Sequence, residues 1–222
     1  MPFTAKTPEF IFENHVHDSK EWFHEHKSDY EKYVKEPFRE FVELIEPYIK
    51  EIDAEISCDP KRLSRIYRDA RYSKGMSVFR DYIWYTFSRT RENATSLPAF
   101  YFSVSPGGFD YGCGYYYTTT PTLVALRKLV ISGDYSFTAA KEAYINQKVF
   151  NLGGDLYKKD RYPDQPEENK IWLNRKNIFL YSESKDFKTL YSKSLPQKIG
   201  EEFNRIAPVY RLFMKADQIR ED

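Results

Sequence analysis

Between Ser64 and Lys74 the chain reads SRIYRDARYSK, with Arg65, Arg68, Arg71 and Lys74 at every third position among aromatic residues and one acid, Asp69. The guanidinium fork matches phosphate and carboxylate oxygens two at a time, so the chemistry such a run supports is capture of an anion. In a strictly extended chain Arg65 and Arg71 face one side and Arg68 the other. Convergence of all four cations therefore requires the chain to turn after about Tyr67. The same spacing also serves an ion-pair network with Asp69 and the acids of the N-terminal segment.

A second cluster is Gly153, Gly154 and Asp155, followed by Lys158, Lys159 and Arg161. Adjacent glycines let backbone N–H groups approach an anion closely. The cluster lacks the Gly-Lys-Ser/Thr ending of a P-loop, and no glycine stretch has the strand, glycine and helix context of a dinucleotide site. A third basic pair, Arg175 and Lys176, follows Trp172. All four histidines, His15, His17, His24 and His26, lie in the first 26 residues. On a helix His24 and His26 point apart and no cysteine or matched acid accompanies them, so no metal site is expected. There is no Gly-x-Ser-x-Gly, and neither cysteine has an obvious sequence partner for nucleophilic catalysis. Asp69 and Asp155 are the candidate catalytic carboxylates, for acid/base or metal-assisted phosphodiester chemistry, provided they meet in space.

The elements that must position these groups are legible in part. Phe10–Phe12 begin a short apolar element, and Asp18 with Glu21 three residues later predicts a capped helix start. Phe23, Tyr30, Val34, Phe41, Ile45 and Tyr48 then follow helical spacing, with a kink or restart expected near Pro37. Tyr82–Phe87 and Ala99–Val104 read as strands. Pro106, Gly107 and Gly108 then turn the chain into a return strand, Phe109–Tyr117, where Gly112 and Gly114 suggest a bulge or close approach. The connection from Ser88 to Pro98 is polar. Thr120, Pro121 and Gly133 bracket a helix, and a second is expected over Phe137–Ile145. Gln147–Leu152 and Ile178–Tyr181 are further strand candidates, separated by a polar loop over Lys158–Glu168. Ile199, Phe203, Ile206, Tyr210 and Phe213 predict one C-terminal amphipathic helix despite Pro208.

The 34 basic residues nearly cancel the 33 acidic ones, so no whole-molecule field draws the protein to nucleic acid or an anionic membrane. Nucleic acid is not the expected partner; any such attraction must be local. No apolar run approaches the roughly 18 residues that cross a bilayer. Two well-separated cysteines, Cys58 and Cys113, and the lack of a leader pattern predict a reduced, cytoplasmic, unprocessed protein. With 19 Tyr, 17 Phe and 3 Trp, the chain must place many ring-borne polar groups at the edge of its core or along a ligand groove.

Five landmarks, in order, resemble a family of uncharacterised conserved proteins of bacteria and some fungi, catalogued as a domain of unknown function. They are Glu21-Trp22-Phe23 with Lys27, Tyr30 and Pro37-Phe38; Arg65 to Ser73; Pro106-Gly107-Gly108 with Gly112 and Gly114; Gly154-Asp155-Leu156; and Leu173 to Phe179. The chain departs from that pattern at Gly75-Met76 and Val78-Phe79-Arg80, where two charged positions are lost and Arg80 keeps a positive one. It departs again over Tyr157–Arg161, where the family has a basic turn. The resemblance implies an α+β domain in a cytoplasmic setting and brings no established activity, cofactor or catalytic residue.

The expected fold is thus a single α+β domain over residues 1–222: helical over 1–58, strand-rich over 61–117 and mixed over 120–222. Its centre should be a mainly antiparallel, aromatic-rich sheet covered by N-terminal, central and C-terminal helices. The expected function is binding of an anionic or phosphate-bearing small molecule in a groove lined by Arg65, Arg68, Arg71, Arg80, Lys158 and Arg175. One alternative is a phosphoester- or nucleotide-processing enzyme using Asp69 and Asp155. Another is a protein-interaction module without a pocket. The sequence names no cofactor and no oligomeric state.

Overall fold

A computed structural model describes residues 2–69, 71, 75–90 and 96–220. Lys74, with Ala70, Tyr72 and Ser73 of the central motif, lies outside the described residues, as does the middle of the Ser88–Pro98 connection.

Helix α1 spans Lys6–His17 and ends where Asp18 adopts a left-handed conformation, φ 45°. The expected Asp18 cap is corrected: Ser19 caps α2 (Lys20–Glu25), its hydroxyl accepting from the Trp22 N–H at 3.2 Å and donating to Glu21 at 2.8 Å. The Asp18 carboxylate instead accepts the backbone N–H groups of Val78 and Phe79, at 2.7 and 3.1 Å. A long-range pair of donors has taken the group that local spacing assigned to a cap.

Helix α3 (Lys27–Tyr30) runs through a π-helical turn, Glu31–Lys35, into α4 (Glu36–Ile52). Pro37 follows directly on the π-turn in a continuous helical run, so the helix adjusts there by a widened turn, and the Tyr33 carbonyl four residues before the proline accepts from the Thr7 hydroxyl at 2.7 Å. Phe38, Phe41, Val42, Ile45, Ile49 and Ile52 form the buried stripe of α4.

The sheet contains β1 (Ile83–Phe87), β2 (Ala99–Ser105), β3 (Gly108–Gly114), β4 (Asn151–Gly153) and β5 (Phe179–Ser184). Their order is β1-β2-β3-β5-β4, and every pairing is antiparallel. Ser105 pairs with Gly108, which makes Pro106-Gly107 a two-residue hairpin turn. The pairing runs unbroken through Gly112. Gly112 therefore marks a close approach and no bulge, since a Cβ there would collide with the Leu180 carbonyl. Strand β4 is shorter than expected because the Gln147 side chain captures the Val149 and Phe150 N–H groups, at 2.7 and 2.6 Å, before pairing begins.

Alternation sorts the strand residues onto two faces. Ile83, Tyr85, Phe87, Phe100, Phe102, Val104, Phe109, Tyr111, Cys113 and Leu180 are buried on the first. That face meets α4 and the C-terminal helices α9 (Leu195–Arg205) and α10 (Ala207–Gln218): Phe102 stacks on Phe41 at 4.3 Å, and Phe100 lies 4.7 Å from Phe203 and 5.0 Å from Tyr210. The second face carries Trp84, Tyr101, Ser103, Asp110, Gly112, Phe179, Tyr181 and Glu183. Helix α7 (Glu167–Leu173) and the turn after it border this face at the β4–β5 end. Helices thus flank the sheet on both sides, and the chain is a single α+β domain.

The single C-terminal helix expected from spacing is corrected to two. Pro208 offers no N–H to the preceding turn, so the helix breaks at Ile206 and restarts with the proline in the first turn of α10. Helices α5 (Thr120–Ile131) and α6 (Tyr135–Ile145) pack beside α10, and the short α8 (Phe187–Leu190) follows β5. Helix α5 is capped by Thr119, whose hydroxyl accepts from the Thr122 N–H at 3.3 Å. Thr119→Ala should cost about 1 kcal/mol, read as a melting point lower by about 2–4 °C. An unchanged melting point would mean that Pro121 and packing alone set this helix start.

Candidate functional site

The arginine run is an irregular edge strand laid along the chain that leads into β1. Isolated bridges pair Leu63 with Tyr85 and Tyr67 with Phe79. Between them Ser64 N–H donates to the Trp84 carbonyl at 2.8 Å, Arg68 N–H to Val78 at 2.8 Å, and Arg80 N–H to Ile66 at 2.9 Å. Extended pairing fans the cations apart, so the six basic residues expected in one groove do not share one.

Three of them serve the edge itself. Arg68, largely buried, donates to the Ser77 hydroxyl, the Phe79 carbonyl and, at 2.8 Å, the Asp81 carboxylate. Arg71 is exposed and forks onto Asp69 at 3.0 and 2.6 Å; those hydrogen bonds hold the Asp69 carboxyl well below the usual carboxylate range. Arg80 donates to the Tyr67 carbonyl at 3.2 Å and lies over the Trp84 ring at 4.7 Å. Lys158 is exposed and lines neither cavity described below.

Arg65 differs from these, forming no hydrogen bond or ion pair among the described residues. It stands on the rim of a cavity of about 440 Å³ between the α2–α4 region and the segment Pro60–Tyr67. The floor is apolar and aromatic: Phe23, Tyr30, Phe38, Val42, Leu63, Ile66, Tyr67 and Tyr85 line it. The rim is cationic, with Lys35, Arg39 and Lys61 beside Arg65. Lys35 is bonded to Glu31 at 2.7 Å, and Arg39 stands 3.9 Å from the same carboxylate. Burial, with the nearby Glu31 charge, pushes the Tyr30 phenol up to about 12, so it enters the groove as a neutral donor. The π-helical turn that ends at Lys35 borders this groove; such turns are frequent at functional sites. Lys35 and Arg39 escaped the sequence reading, although Glu31, Lys35 and Arg39 are spaced four apart and so share a helix face.

Arg175 belongs to a different cavity, of about 590 Å³, on the second face of the sheet. Its guanidinium donates to the Gly154 carbonyl at 2.7 Å and the Ile171 carbonyl at 2.8 Å. Gly154 sits at φ 112°, and a Cβ there would collide with the Asn177 carbonyl, so only glycine lets the two segments touch. Tyr101, Asp155, Phe179, Tyr181 and Glu183 line the same space. Beside it, Asp110 pairs directly across the strands with Glu183. Burial raises the Asp110 carboxyl, Glu183 adds to the rise, and hydrogen bonds from Ser103 and Tyr101 oppose it.

The proposed catalytic pair does not form. Asp69 follows the edge segment outside β1, whereas Asp155 follows β4 at the other edge. Five strand spacings, on the order of 24 Å, separate those edges, far beyond what two ligands of one metal ion permit. The histidines are used otherwise: His17 and His26 both stack on Trp22, at 4.7 and 4.0 Å.

Residues 6–212 match the sequence pattern of DUF2461, a family of conserved hypothetical proteins. The chain is a DUF2461 protein. No curated protein matches it. In this DUF2461 chain four of the five landmarks divide between the two cavities. Phe23, Tyr30, Phe38 and the start of the central motif, Arg65 to Tyr67, line the first. The Gly-Asp segment and the late basic motif meet at the second, where Leu156 bridges to Arg175 and Lys176 N–H donates to the Asp155 carbonyl at 2.7 Å; the glycine hairpin lines neither cavity and adjoins the second through the pairing of Gly112 with Tyr181 and Gly114 with Phe179. No helix among the described residues is long and apolar enough to cross a membrane.

Proposed function

We propose that this protein binds a small anionic molecule with an apolar or aromatic body in the groove beside Arg65. The observation that carries the reading is an unpaired guanidinium on the rim of an aromatic-floored cavity, with three further cations around it. A carboxylate or phosphate would meet Arg65 and Arg39 at the rim, and the body of the ligand would displace water from Phe23, Phe38, Val42 and Tyr85. A volume of about 440 Å³ suits a small metabolite-sized occupant. The free thiols Cys58 and Cys113 support a reducing, cytoplasmic setting for this role.

Calorimetric titration with phenyl phosphate, inorganic phosphate and a phosphosugar tests the proposal. Phenyl phosphate should bind most tightly, because it alone offers both an anion and an apolar aromatic ring. Arg65→Glu should weaken it by about 10- to 150-fold, the loss of one charge-assisted contact, without lowering the melting point, since Arg65 is exposed. Equal affinity in the variant would remove this groove as the site.

A further inference from the structure

The cavity on the second sheet face has a charge pattern opposite to that of the Arg65 groove. Its lining carries Asp155 and Glu183 against one cation, Arg175, and Asp110 stands directly across the strands from Glu183. Two acids facing each other across an antiparallel pair repel. Neither forms an ion pair among the described residues. Arg175 does not neutralise them: its guanidinium is held by two backbone carbonyls at the β4 end, and from the level of Phe179 to that of Glu183 the strand runs about 14 Å.

Beside the acids the lining is aromatic. Tyr101, Gly112 and Tyr181 form one row across β2, β3 and β5, so two tyrosines flank a position with no side chain. The Tyr101 ring leans over Gly112. Tyr181 lies two residues from Glu183 on the same face of β5. Carboxylates together with ring faces are the surroundings that favour a protonated amine, through ion pairing and cation–π attraction.

We infer that this cavity binds an organic ammonium ion, its charge between Glu183 and Asp110 and its body against the rings of Tyr101 and Tyr181. Acids without an ion pair supply the charge for such a ligand, and the cavity of about 590 Å³ supplies the space. An inorganic cation would use the acids but leave the rings without a role.

Benzylamine, cationic at neutral pH, and its neutral isostere benzyl alcohol are the probes, titrated into the full chain and followed by calorimetry or NMR shifts. Benzylamine should bind at least tenfold more tightly than the alcohol. Glu183→Gln, at an exposed position, should cost benzylamine at least tenfold with an unchanged melting point, and Tyr181→Ala should weaken both probes. Arg65→Glu should leave benzylamine binding as it is, which separates this site from the anion groove. Equal binding of the two probes, no benzylamine binding at millimolar concentration, or indifference to Glu183→Gln would each overturn the inference.

Discussion

Phe102→Ala should destabilise the protein by about 3–5 kcal/mol, the range for deleting a buried aromatic ring, and lower its melting point by roughly 6–20 °C. Phe102 is fully buried at the centre of the first sheet face. Its ring stacks on Phe41 at 4.3 Å and packs within 6.0 Å of Phe3, Phe38 and Phe109, so one residue joins β2, β3, α4 and the N-terminal segment. Four surrounding rings cannot collapse onto the gap together, which places the expected loss away from the low end of large-to-small substitutions. Urea unfolding would read the change as a lower midpoint at constant slope. A loss below about 1 kcal/mol would mean that the helical layer relaxes freely against the sheet, contrary to close packing.

Asp53→Ala should cost about 2–4 kcal/mol. The carboxylate is buried after α4 and joins three elements: Arg89 Nε donates to it at 2.6 Å, the Tyr210 hydroxyl of α10 at 2.7 Å and the Glu55 N–H at 3.0 Å. Removal leaves a phenol and a guanidinium without their acceptor. A fully buried pair broken in this way costs about 3–5 kcal/mol; Arg89 remains partly exposed and keeps Glu55 at 2.9 Å, so the expectation is lower.

The acid limb of the stability curve gives a second readout. Burial works to raise the Asp53 carboxyl, but the hydrogen bonds from Arg89 and Tyr210 outweigh it and hold the group below its ordinary value. A carboxyl depressed by folding stabilises fully above its unfolded value, near 3.9, and that contribution disappears as pH falls through the folded value. Wild type should therefore lose stability below about pH 4 more steeply than Asp53→Ala. Parallel acid limbs would show that this carboxylate titrates alike in the folded and unfolded chains. Asp134, held at about 2 by Lys215 and Ser136, should keep contributing to lower pH in both proteins.

The two candidate sites were legible to different degrees. For the Arg65 groove, the arginine run and the spacing of Phe23, Tyr30 and Phe38 along one helical stretch were in view, because these are local features. That Arg65 alone would face a cavity was not, since the direction of each arginine depends on pairing with residues 78–85. At the second cavity Gly154, Asp155 and Arg175 were singled out, yet the acids Asp110 and Glu183 were not. They lie 73 residues apart, positions 110 and 183, and become neighbours only through the β3–β5 register. No periodicity in the sequence encodes that register.

The sequence by itself determined what short-range physics controls. The Pro106-Gly107 hairpin, the helix before Gly133 and the irregular turn next to Pro37 follow from φ restriction, missing donors and capping within a few residues. So did the division into an aromatic sheet and amphipathic helices, because burial imposes the period. Only the tertiary structure decided which groups met: it gave Asp18 to the Val78–Phe79 backbone instead of a helix cap, parted Asp69 from Asp155, and put Arg65 and Arg175 at two cavities of opposite charge. Each of these outcomes depends on chain segments far apart in sequence, whose mutual placement is set by the packing of rings such as Phe41, Phe102 and Phe203 between the layers.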